Sequence, residues 1–242
     1  MTLTPDPGRV VRFLGTGTVV LLVLGFVTQM ARQLTGRHLF GLARTLNLDG
    51  EANVPTFFAA LLLVIAAACL AVRALHEHQL GGHEVRHWAI LSGGFVYLGF
   101  DEAARLHELF GRPARFLLGN LDTGPVHAWV LFGLVILIVV VAGFFPFLQR
   151  IPRRTARLLV LAGALYVGGA IFMEMATSAY AHRARAEDAV APMLMAAEIG
   201  LTVVEEGMEM SGVLLLIYAV LDDLRRRGAD LQIRFAAPSP PA

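Results

Sequence analysis

The sequence contains no lysine; all 20 basic residues are arginine. That absence excludes a Schiff-base retinal protein and any lysine nucleophile. Cysteine is nearly absent, and Cys69 has no partner for an internal disulfide. In its apolar run it reads as a small core or lipid-facing residue. Charged residues are scarce, at 16% against roughly 25% in a soluble globular domain. The 20 basic residues nearly balance 19 acidic ones, so no basic field points to nucleic acid. What is present is apolar: 56% hydrophobic residues and a mean hydropathy of +0.64. A disordered chain and an ordinary soluble enzyme are both excluded. The composition is that of an all-α, polytopic integral membrane protein whose first partner is the lipid bilayer.

Six apolar stretches predict six transmembrane helices near Val10–Met30, Pro55–Val72, Trp88–His107, Pro125–Leu148, Ala156–Tyr180 and Met193–Leu221. Each approaches the ~20 residues that cross a bilayer. The first follows Arg9 and Arg12, as a signal peptide would, but it is long and no small-residue cleavage site follows it. It therefore reads as a retained helix. Residues 1–235 read as one six-helix domain, and 236–242, with three prolines, as a disordered tail.

Arginine counting sets the orientation. With the N-terminus inside, 12 arginines lie on the inner side and 8 outside. The densest clusters, Arg150–Arg157 and Arg225–Arg227, are both inner. Both termini are then cytoplasmic and the chain sits in the inner (plasma) membrane. Trp88 and Trp129 are expected as aromatic anchors at opposite interfaces. Leu39, Leu42 or Ala43, and Leu46 predict a short amphipathic helix on the outer surface. Pro55 and Thr56 suit a helix start, and Asp49, Glu51 and Asn53 before it read as capping and turn residues.

Acids lie well inside three of the apolar runs. At ~100° per residue, Asp101, Arg105 and Glu108 share a face of the third helix, with Glu102 to the side and His107 pointing elsewhere. Glu174 shares a face of the fifth with Thr177 and Ser178. On the sixth, Glu198, Thr202, Glu205, Glu209 and Gly212 form one stripe, flanked by Glu206. Such stripes should face the bundle interior. Asp101 lies roughly 20 Å into a ~30 Å core, and all three stripes converge on the outer half of the membrane. His107, Glu108, His127, His182 and Glu198 rim that region. The cluster carries seven formal negative charges against Arg105, which dry protein does not tolerate. Protonation, water or bound cations must neutralise it.

Asp101, Glu108, Glu174, Glu205 and Glu209 are the candidate ligands of a metal. Glu102, Arg105, His107, Glu206, His127, His182 and Glu198 form a second tier. Carboxylates on facing helices suit iron or manganese, possible as a di-metal site, ahead of zinc, for which too few histidines share a face. The usual Glu-x-x-His half-motifs are missing from the spans. Glu84-x-x-His87 has that spacing, but with His76, His78 and His83 it falls in a connection expected to be solvated.

Three stretches carry a resemblance: Leu48–Phe57 (LDGEANVPTF), Gly99–Glu108 (GFDEAARLHE) and Glu205–Gly212 (EEGMEMSG). Together they resemble a recurring group of uncharacterised bacterial multi-pass membrane proteins. The resemblance implies a family and assigns no activity.

Three readings stand side by side. The first is an outward-facing intramembrane cation site, with or without a (di)metal centre. The second is a proton- or cation-coupled transporter or channel that uses the same acids. The third is a scaffold or sensor packed through small pairs such as Ala164-x-x-x-Gly168. Whether the protein is an enzyme stays open, as does a homo-oligomer.

Overall fold

Asp6 opens the first helix. Its Oδ1 accepts the Arg9 N–H at 2.9 Å, and Pro7 follows where no backbone donor is needed. Helix α1 then runs Pro7–Thr35 and stops at Gly36, whose φ of 64° and N–H to Arg32 O make a left-handed cap. Asn53 does the same work for α3, Val54–Gln79, by accepting from Thr56 N at 3.1 Å. Its amide also donates to Asn47 O and Gly50 O, each at 2.7 Å. The capping role expected for this stretch is therefore Asn53's, as is the Pro55–Thr56 start.

The remaining long helices are α4, Val85–Ala104, α5, Ala128–Arg150, α6, Arg153–Val167, and α7, Pro192–Arg226. Helix α6 passes into a π-helical turn, Gly168–Met173. The computed structural model describes residues 2–3, 6–50, 52–106, 109, 128–173, 175–180, 192–229 and 231–232. The expected tail, 236–242, and Glu51 lie outside these. The architecture is all-α. Four helices are long and apolar enough to cross a membrane: Pro7–Thr35, Val54–Gln79, Gly133–Arg150 and Arg153–Tyr180. The acids on α4 and α7 keep those two out of that set.

Helix α7 is the axis of the bundle and packs on α1, α3 and α6, while α3 and α4 form a hairpin. The core gathers Leu62, Leu70, Trp88, Phe147, Ile217 and Val220. Helix α5 reaches the core through Phe147, while Val135, Ile138 and Val139 on it are at least 60% exposed. An apolar flank of this kind suits a lipid solvent. The terminal segments meet: Thr2 pairs with Gln232 and Leu3 with Leu231, and Arg225 lies 3.7 Å from Asp6. Both termini thus belong to one end of the bundle.

Glycine sets how closely α6 and α7 approach. A Cβ on Gly212 would sit 2.6 Å from Tyr166 N and 2.8 Å from Ala162 O. One on Gly169 would sit 2.6 Å from Glu209 Cγ and 2.8 Å from Glu205 O. Any larger residue pushes the helices apart. Of the small pair expected to do this, Gly168 lies at the contact, but Ala164 is exposed.

Three expectations are corrected. The outer amphipathic helix is only one turn, α2, Leu42–Thr45, preceded by a 3-10 turn at Leu39–Gly41. Positive φ at Leu39, Phe40 and Gly41 prevents a longer helix. Helix α4 ends at Ala104 rather than His107. Arg105 takes a left-handed conformation, φ 56°, and its N–H caps Asp101 O. The helical face shared by Asp101, Arg105 and Glu108 therefore breaks at Arg105. Trp88 is no interfacial anchor: it is fully buried, edge-on to Phe147 and under the Arg73 guanidinium.

Candidate functional site

Charge is concentrated at two places along α7. At the termini end, Arg73 of α3 is 1% exposed. Its Nε donates to Asp223 Oδ2 at 2.7 Å, and its Nη1 lies 2.8 Å from Glu77. Asp223 also accepts from Thr155 Oγ1 at 2.8 Å and from Arg227 Nε at 2.9 Å. Beside it, Asp222 accepts from Arg154 at 3.0 Å and from Arg226 at 2.9 Å. Helices α3, α6 and α7 are thereby clamped together by compensated charge, the condition under which buried ions are tolerated. Sequence reasoning missed this cluster. Arg73 counted only as an inner positive charge, and no spacing signal links it to Asp223 across 150 positions.

A second clamp closes the α4–α5 side. Glu84 accepts from Arg150 Nε at 2.5 Å, and His87 Nδ1 lies 2.7 Å from its other oxygen. His87 stacks on Phe147. The Arg150 hydrogen bond holds the Glu84 carboxyl below the usual range, against the opposing effect of burial. Glu84-x-x-His87 is thus a local contact, with the carboxylate held by Arg150.

At the opposite end, Glu102 of α4, Tyr166 of α6, and Glu206 and Glu209 of α7 line one small cavity, floored by Leu62, Leu63 and Met210. Its volume is about 10 Å³, near the space one water molecule needs. Glu102, Glu205 and Asp49 lie within electrostatic reach of Glu206. Glu205 Oε2 accepts from Thr177 Oγ1 at 3.0 Å. Asp101 lies within electrostatic reach of Tyr97 and Tyr166. The π-helical turn abuts this site through Gly169, and such turns are frequent at functional sites.

The stripe expected on the sixth span therefore does face inward. Thr202 and Gly212 are buried, Glu205 accepts from Thr177, and Glu209 meets Gly169. The cavity itself selects differently from the sequence: Glu102 and Glu206, placed in the second tier, line it with Glu209, and Asp101 does not. Tyr166 was missed, because an aromatic residue in an apolar run carries no signal of its own. Glu108, Glu174, His107, His127 and His182 lie outside the described residues. Among the described residues, no three His, Cys, Asp or Glu side chains are grouped to hold a metal ion.

Above the acids, a polar cleft of about 460 Å³ opens between the end of α1, the 47–49 turn and the start of α7. Arg32, Gln33 and His38 line one wall, and Asn47, Asp49, Glu198 and Thr202 the others. Glu198 is thus placed in the cleft, away from the cavity.

No curated protein and no solved structure matches this chain. A family model, described as a domain of unknown function (DUF8692), matches residues 14–224. That span takes in the helices that carry both charged regions, and the chain belongs to the DUF8692 family.

Proposed function

We propose that this is a six-span protein of the bacterial plasma membrane, termini inside, whose acids on α4 and α7 hold a cation taken up from the outer side. The cation that the described residues serve best is a proton. The observation that carries this is the cavity itself, where the carboxyls of Glu102, Glu206 and Glu209 come together with Tyr166. Like charges crowded at a membrane-embedded cavity cannot all stay ionised, and a proton shared among them removes the repulsion. Tyr166 and one water would supply the hydrogen bonds for such sharing. Proton- or cation-coupled transport is the activity class this supports. The pairing of the two terminal segments favours an even number of spans, and the arginine distribution favours termini inside.

Metal binding, by iron or manganese ahead of zinc, is the second reading. It needs Glu108 and Glu174 to join Asp101, Glu205 and Glu209. Elemental analysis and infrared spectroscopy of the detergent-purified protein separate the two. A protonated-carboxyl band at neutral pH, lost in Glu206→Gln/Glu209→Gln, supports the proton. One or two metal ions per chain, lost in Glu205→Gln/Glu209→Gln, support the metal. Neither signal in folded protein overturns both.

A further inference from the structure

The polar cleft at the end of α1 involves different residues from the acid cavity and has a chemistry of its own. Its volume of about 460 Å³ falls within the range of small-ligand pockets, roughly 300–1,000 Å³. Charge in it is divided by element. The basic groups, Arg32 and His38, come from the last turn of α1 and the segment after it; the acids, Asp49 and Glu198, come from the 47–49 turn and α7. Amides of Gln33 and Asn47 and the Thr202 hydroxyl add neutral hydrogen-bonding capacity.

The walls are built in advance. Gln29 donates from its side chain to Ala43 O at 2.5 Å, which ties the α2 turn to α1. Leu48 is buried against Gly25, and Asn53 holds the carbonyls of Asn47 and Gly50. A preformed cleft lined by both basic and acidic groups suits one ligand class: a small molecule with an anionic group at one end and an ammonium at the other. Arginine prefers phosphate or carboxylate through its paired donors, and carboxylates take the ammonium.

We infer that this cleft binds a small zwitterion, with Arg32 and His38 on the phosphate or carboxylate and Glu198 on the ammonium. The shared chemistry has two sources, a phosphoethanolamine lipid headgroup and a free amino acid. Calorimetric titration of the full chain in detergent tests the inference, with glycerophosphoethanolamine and alanine as separate probes. The expected result is saturable binding of one probe, weakened at least tenfold by Arg32→Gln and by Glu198→Gln and retained by Arg32→Lys. Glycerol phosphate, which lacks the ammonium, and ethanolamine, which lacks the anion, should bind at least tenfold more weakly than that probe. Preference for glycerophosphoethanolamine assigns the site to a lipid headgroup, and preference for alanine to a free solute. No saturable binding of either probe overturns the inference. Binding that both charge-removing variants leave unchanged also overturns it, as does glycerol phosphate binding as tightly as glycerophosphoethanolamine. Glu206→Gln/Glu209→Gln should change this binding by less than tenfold, so failure of the cleft is distinguishable from failure of the acid cavity.

Discussion

Helix α7 carries two acidic regions that receive opposite treatment. Asp222 and Asp223 are bound by four arginines, Arg73, Arg154, Arg226 and Arg227, and by Thr155. Glu206, roughly 25 Å away along the same helix, has other carboxyls within electrostatic reach. The first region is compensated and buried, and its chemistry is used up in holding α3, α6 and α7 together. The second brings the carboxyls of Glu102, Glu206 and Glu209 to one cavity, and ionisable groups inside apolar helices are costly for structure alone. Stability thus resides at the termini end, and the reactive potential of the molecule at the other.

The sharpest way to break this contrast is to remove one member of the buried pair. Asp223→Ala removes the carboxylate bonded to the Arg73 Nε while Glu77 stays on its Nη1, so unfolding in detergent should become easier by about 3 kcal/mol, the low end for a broken buried pair. A loss below ~1 kcal/mol would mean that the clamp is not what holds this end together. Next in size is the helix contact that positions the cavity. Gly212→Val places a side chain against the backbone of Tyr166, and overpacking of this kind costs about 1–3 kcal/mol. Its melting temperature should fall while the Asp223 network stays intact.

Glu206→Gln provides the counterpart to Asp223→Ala. If Glu206 holds a proton as proposed, an amide replaces it with little change of shape, so stability should stay within about 1 kcal/mol of wild type. Destabilisation as large as that of Asp223→Ala would show that Glu206 is an ionised structural partner, and the contrast would collapse. The smallest effect concerns pH. Arg150 depresses the Glu84 carboxyl below its usual value of 4.5. Its contribution is therefore present above pH 4.5 and lost as pH falls through the lower folded-state value. Arg150 is half-exposed, so the contribution should be below ~1 kcal/mol. Arg150→Gln should abolish that acid-limb dependence in a pH series of melting curves.

Much of the helical layout was legible because hydropathy and length act over twenty residues at a time. All six expected spans have a helix at their position, and the acids supplied the inward faces of α7. Local backbone choices were less legible. Arg105 leaves the helix by adopting positive φ, which no hydrophobic pattern announces, and positive φ at Leu39, Phe40 and Gly41 shortens the helix expected after α1. The site was partly legible for a related reason. Helical geometry places Glu206 beside its stripe to within one residue, but which side of the stripe meets α4 depends on helix rotation. Glu102 and Glu206 therefore moved from flank to lining. The Arg73–Asp223 pair depends on a contact between α3 and α7 that only the fold creates.

The most direct test of the account is the protonation of the acid cavity itself. Infrared spectra of purified wild-type protein and Glu206→Gln, recorded at neutral pH in H2O and D2O, report it through the deuterium-sensitive carboxylic-acid band. The account predicts such a band in the wild type and its reduction in the variant. Its complete absence from folded wild-type protein would contradict the claim that these carboxyls hold a proton.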